Sequence, residues 1–200
     1  MQSTNHKELV EKAKALGAVE VVEIDASRVI VDERVRLKCQ IPRCAHFGQN
    51  LQCPPFVPSL DEFRRALAKY HHAILLQFPI GTSEKEIEAK MKGKSIEKLE
   101  KDKDYKELMR SSMRTMITSL GELEKTALYS GYRLALALSG GTCALCDECV
   151  GPGGECRHPF VSRPSMEALG IDVVGTAMNA GLVVEFPPKE PRWVCLLLVD

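Results

Sequence analysis

Four cysteines fall within fourteen residues of the stretch Gly140-Gly141-Thr142-Cys143-Ala144-Leu145-Cys146-Asp147-Glu148-Cys149-Val150-Gly151-Pro152-Gly153-Gly154-Glu155-Cys156-Arg157-His158-Pro159. A loop this rich in glycine has few apolar side chains with which to hold its own shape, so the sulfurs must hold it, through a metal or through disulfides. The spacing Cys143-x2-Cys146-x2-Cys149-x6-Cys156 brings three sulfurs to one side of a compact turn, as in ferredoxins. In the bacterial ferredoxin run a further cysteine follows after three residues, precedes a proline and serves a second cluster. Here the last gap is six, Arg157 follows Cys156, and proline comes only at position 159. Zinc is the alternative, since four thiolates suit a tetrahedral ion, but structural zinc sites usually draw their ligands as two separated pairs.

Compartment bears on the choice between metal and disulfide. The first residues lack the apolar core of a secretory signal, and no run approaches the roughly 18 apolar residues of a membrane span. A cytoplasmic protein is expected, and a reducing cytosol makes close cysteines read as metal ligands. With 200 residues, 44% of them apolar, the chain can bury a core without covalent staples. Its 27 basic and 27 acidic residues cancel, so neither nucleic acid nor a membrane surface is an expected partner.

A second group, Cys39-x4-Cys44-x8-Cys53-Pro54-Pro55, offers three thiolates. Three would bind a four-iron cluster with one iron left open, and His46, Cys195 or a residue of the second loop are candidates for a fourth ligand. The spacing also allows Cys53 and Cys156 to be exchanged between the sites. Cys195 lies in the apolar run Trp193-Val194-Cys195-Leu196-Leu197-Leu198-Val199 and reads as a small core residue. His46 and His158 read as supporting neighbours of the cysteines rather than ligands. Arg43, Arg157 and Arg163 put positive charge near the thiolates, where charge sets reduction potential. Gly140-Gly141-Thr142 is no phosphate loop, because no Gly-Lys-Ser/Thr follows it.

Periodicity predicts one domain over residues 1–200, α/β or α+β, with a mixed sheet, flanking helices and two Cys-rich loops at 39–58 and 140–164. An amphipathic helix over 6–16 ends at Gly17, and strands are expected at Val19–Ile24 and Val29–Val31. Ser59 and Glu62 form a capping box before a helix carrying Phe63, Leu67 and Tyr70; His71–Phe78 is a buried strand. A charged helical segment at 83–105 reads as a solvated helix pair or lid. A long helix over Tyr105–Gly131 has methionines as core filling, and Arg133–Leu138 is a strand leading into the cysteine loop. Beyond it come a short helix at 165–170, an extended piece at Ile171–Val174, a helical turn at 175–180, and a hairpin of Leu182–Phe186 with Trp193–Val199.

Three blocks together resemble a family of predicted metal-binding proteins (domain of unknown function 2284) of anaerobic bacteria and methanogenic archaea. They are Cys39, Cys44, Gly48 and Cys53-Pro54-Pro55; Gly140 through Cys156-Arg157-x-Pro159; and Arg163-Pro164-Ser165-Met166-Glu167-Ala168-x-Gly170-Ile171-Asp172-Val173. The resemblance spans most of the chain and implies metal ligation by both cysteine groups in an oxygen-poor setting. Within the third block, Glu167 could act as acid or base with Arg163 binding an anion. Ser165 as a helix cap, with Arg163 and Glu167 ion-paired at the helix start, is the favoured reading.

The expected function is thus an iron-sulfur protein with one or two 4Fe-4S clusters, held by Cys143, Cys146, Cys149 and Cys156 and by Cys39, Cys44 and Cys53, transferring electrons to a redox partner. An enzyme whose three-Cys cluster acts as a Lewis acid on a small molecule is the alternative, and a zinc-stapled interaction module a third. Homo-oligomerisation is compatible with all three.

Overall fold

The computed structural model describes residues 2–81, 98, 101–184 and 191–200, so most of the charged segment at 83–105 lies outside the described residues. Helix α1 (Gln2–Ala15) ends in a turn through Gly17, whose φ of 99° is open to glycine alone without strain, and β1 (Glu20–Asp25) follows. Asp32 caps α2 (Glu33–Gln40) by accepting from the Arg34 amide, and α3 (Leu60–Leu67) carries the expected Ser59/Glu62 capping box. Then come β2 (His72–Pro79), the long α4 (Lys103–Tyr129, capped by Asp102), β3 (Ala135–Leu138), α5 (Val173–Asn179) and β4 (Arg192–Val199).

The strands form one sheet in the order β1-β2-β4-β3. The architecture is α+β, and the sheet is antiparallel throughout where a mixed one was expected. Its inner strands are covered on both faces, which is why β2 and β4 read as nearly unbroken apolar runs instead of alternating ones. On one face, Leu9 and Ala13 of α1 and Met116, Ile117, Leu120 and Leu123 of α4 pack on Ile74, Leu76, Cys195 and Leu197. On the other, Phe63 and Leu67 of α3, with Met166, Leu169, Ile171 and Ala177, pack on Leu75, Leu138, Leu196 and Leu198.

Four local expectations are corrected. Val29–Val31 is no sheet strand; Val31 makes an isolated bridge to Ile171, and Val173 already belongs to α5, so the extended piece at 171–174 shrinks to that bridge. The expected hairpin of Leu182–Phe186 with β4 is not seen among the described residues: β4 pairs along its length with β2 and over Leu196–Val199 with β3. Residues 182–184 are irregular, and 185–186 lie outside the described residues. The 165–170 helix is a single 3-10 turn over Glu167–Leu169.

Candidate metal centre

The second cysteine loop is an excursion from the end of β3 that closes on itself. Ser139 bridges Ser165: the Ser139 amide donates to Pro164 O at 3.0 Å and the Met166 amide to Ser139 O at 2.9 Å. At Gly140 a Cβ would stand 2.8 Å from Val194 O, so only glycine lets the chain leave the sheet this close to β4. Arg163 ties the returning limb to α4 through a forked ion pair with Glu124, whose Oε1 also accepts the Ala137 amide of β3 at 3.2 Å. The expected Arg163–Glu167 pair is therefore not made; the α4 carboxylate, remote in sequence, takes the guanidinium.

Cys143, Cys146, Cys149 and Cys156 all line one concavity, together with Leu51, Leu145, Val150 and His158. Backbone amides point at the sulfurs: Leu51 N–H to Cys149 Sγ and His158 N–H to Cys156 Sγ, each at 3.4 Å. Ser162 Oγ stands 3.3 Å from Cys156 Sγ. Burial pushes the Cys143 thiol up, opposed by an amide bond from Leu145, while the Cys156, Cys146 and Cys149 sulfurs raise it further.

The first group begins inside a helix rather than an irregular loop, with Cys39 in the last turn of α2. The Cys44 amide donates to Cys39 O at 3.1 Å and the Cys53 amide to Asn50 O at 2.9 Å, which folds the three cysteines into tight turns. Burial pushes the Cys53 thiol up to about 11, opposed by Thr142, and the neighbouring sulfurs that add to the effect are Cys44, Cys39 and Cys143. Burial also raises Cys39, with Arg36 opposing. Cys156 shares the concavity of Cys143, Cys146 and Cys149, while Cys53 lies beside Thr142 at the seam between the two loops. All eight cysteines are free thiols. Thiols raised in this way bind as thiolates only when a cation displaces their protons. Among the described residues no three Cys, His, Asp or Glu side chains converge closely enough to share one ion.

The two groups are sewn together by polar side chains that cysteine spacing does not reveal. Buried Asn50 donates through Nδ2 to Thr142 Oγ1 at 3.3 Å and to Cys143 O at 3.1 Å, while its Oδ1 accepts the Gln52 amide at 2.9 Å. Gln52 Nε2 donates to Ser162 Oγ at 3.0 Å, and Thr142 Oγ1 lies 3.6 Å from Cys53 Sγ. The Asx-turn of Asn50 is the one local signal in the sequence that could have marked this segment. On the outer side, Arg110 and Arg114 clamp Asp147 at 2.8 and 2.7 Å, and Arg114 Nε donates to Ala144 O at 2.9 Å, fastening α4 to the loop.

The other expected neighbours take lesser positions. Cys195 is fully buried in β4 with its thiol raised by burial, a core residue as expected. His158 approaches Cys156 by its backbone, and His46 lines a groove shared with Cys146, Cys149, Tyr105 and Met109. Arg157 binds Glu148 O at 2.9 Å and Arg43 lies over the Phe47 ring at 5.1 Å, so neither points its charge at a sulfur through a direct bond. Glu167 has a buried Oε2 with no hydrogen-bond partner, and Arg36 a buried Nε in the same condition.

No helix among the described residues is long and apolar enough to cross a membrane. A family model described as Predicted metal-binding protein (DUF2284) matches residues 22–199, and the chain belongs to that family. No curated protein and no solved structure matches it.

Proposed function

With membership of a metal-binding family as the premise, we propose that the chain is an iron-sulfur protein with two cluster sites, carrying electrons for a redox partner in the cytoplasm. Cys143, Cys146, Cys149 and Cys156 would hold one four-iron cluster, and Cys39, Cys44 and Cys53 most of a second. The observation that carries this reading is that four sulfurs from one loop line a shared concavity. A tetrahedral zinc, with Zn–S near 2.3 Å, needs its sulfurs about 3.8 Å apart. A multi-iron cube is instead met by sulfurs spread around its body.

Such clusters, when bound, take up and release single electrons at a potential set by hydrogen bonds to sulfur, charge and exposure. The chain's own residues fit that task. Leu51, Leu145 and His158 direct amides at the sulfurs, favouring thiolate over thiol. Asn50 and Thr142 tie the two cysteine loops together. The groove beside Cys146 and Cys149, edged by Tyr105, Lys106 and Arg110, is where a partner can come near.

Iron, zinc and acid-labile sulfide measured on anaerobically purified protein test the proposal. Iron and sulfide in equal amounts, about eight of each per chain, with broad absorption near 400 nm, are expected. Colourless protein containing zinc and no sulfide would overturn it in favour of the stapled module.

A further inference from the structure

Glu167 sits where an unpaired carboxylate is hard to explain. Its backbone is locked from every side: Ala168 N–H donates to Ser165 Oγ at 3.1 Å, Gly170 N–H to Glu167 O at 2.9 Å, and Arg36 Nη1 to Ala168 O at 2.7 Å. The turn that carries the side chain is thus fixed, and its Oε2 is buried without a hydrogen-bond partner. Leaving such a group unsatisfied is costly, and a native structure that tolerates it usually has an ion or water to supply the missing partner. Arg36, facing it from α2, has a buried Nε equally without a partner, and the two do not pair with each other. Cys39 follows Arg36 by one turn of α2, and the Arg36 bond to Ala168 O sets the turn that carries Glu167 against that helix. Two opposite charges beside the cysteine-bearing end of α2, each with a buried atom left unpaired, suit a further charged group there.

Cys39, Cys44 and Cys53 are one ligand short of a four-iron cluster. Of the residues that could complete the set, Cys195 is buried in the sheet core and His46 lines the groove on the Cys146 side. We infer that the Glu167 carboxylate is the fourth ligand of the Cys39/Cys44/Cys53 site, with Arg36 as its counter-charge. This rests on the iron-sulfur reading above. The two sites then differ in kind: one is closed by four thiolates, the other by three thiolates and an oxygen. Oxygen is a harder donor than sulfur, so the iron it holds is the one most easily given up.

Glu167→Gln and Glu167→Cys, purified without oxygen beside the wild type, test this. Brief ferricyanide treatment removes one electron per labile cluster as a ferrous ion departs. E167Q is expected to lose about one iron per chain in this step, to keep its sulfide, and to show an oxidised three-iron electron paramagnetic resonance signal. E167C should hold the full iron count under the same treatment and shift the potential of one cluster only. Wild-type iron retention and spectra in both variants would overturn the assignment, and if E167Q does not fold, E167C decides alone. Wild-type protein without iron and sulfide would instead sink the reading on which the inference stands.

Discussion

The two cysteine loops solve the same problem in different ways. The loop at 140–164 is anchored at both ends to one strand terminus, by the Ser139–Ser165 bridge and the Arg163–Glu124 fork, and carries four sulfurs of its own. The loop at 39–58 is slung between the end of α2 and the cap of α3, brings three sulfurs, and leans on the other loop through Asn50, Gln52 and Thr142. A loop that closes on itself can supply a whole ligand set locally. One stretched between helices must borrow from the rest of the fold.

That contrast can be broken most directly at the sulfurs. Cys146→Ser should remove about half of the chain's iron and leave the spectrum of the three-Cys site in place, whereas Cys44→Ser should do the reverse. Iron analysis with electron paramagnetic resonance reads both, and a joint loss of all iron in either variant would mean that the sites do not assemble independently. A smaller effect should follow from Arg163→Met, which leaves the Glu124 carboxylate buried without its cation. Removing one partner of a buried pair costs about 3–5 kcal/mol. The denaturation midpoint should fall accordingly, with the cluster of the 140–164 loop lost before the other; a midpoint within error of wild type would show that this anchor is dispensable. The smallest change is expected for Asn50→Ala. It removes three hydrogen bonds at the seam, for about 1–3 kcal/mol, and should weaken magnetic coupling between the two reduced clusters while both keep their iron. Unchanged coupling would locate the contact between the sites elsewhere.

Much of this molecule is visible in its periodicities. The α4 pattern, the Ser59/Glu62 box and the unbroken β2 run form as the spacing predicts, because helix caps and apolar repeats are settled by neighbours within a few residues. The failures are instructive in the same terms. Val29–Val31 has the β-branched composition of a strand but finds only Ile171 beside it, and Leu182–Val184 stays outside the sheet, where β4 pairs with β2 and β3 instead. Strand propensity describes a residue that fits a pleated surface, not whether a surface is vacant. At the candidate site the cysteines announce themselves by spacing, while Asn50, Gln52, Arg114 and Glu124 do not, since each finds its partner dozens of residues away.

From the chain alone came the metal-binding character, because the chemistry of clustered thiols is local and their spacing limits what they can grip. Which sulfurs share a concavity, which arginine answers which carboxylate, and that Glu167 is left without Arg163 were decided only by tertiary packing. Pairings of that kind join segments whose distance along the chain says nothing of their distance in space, and a buried charge takes the partner that the packed elements bring to it.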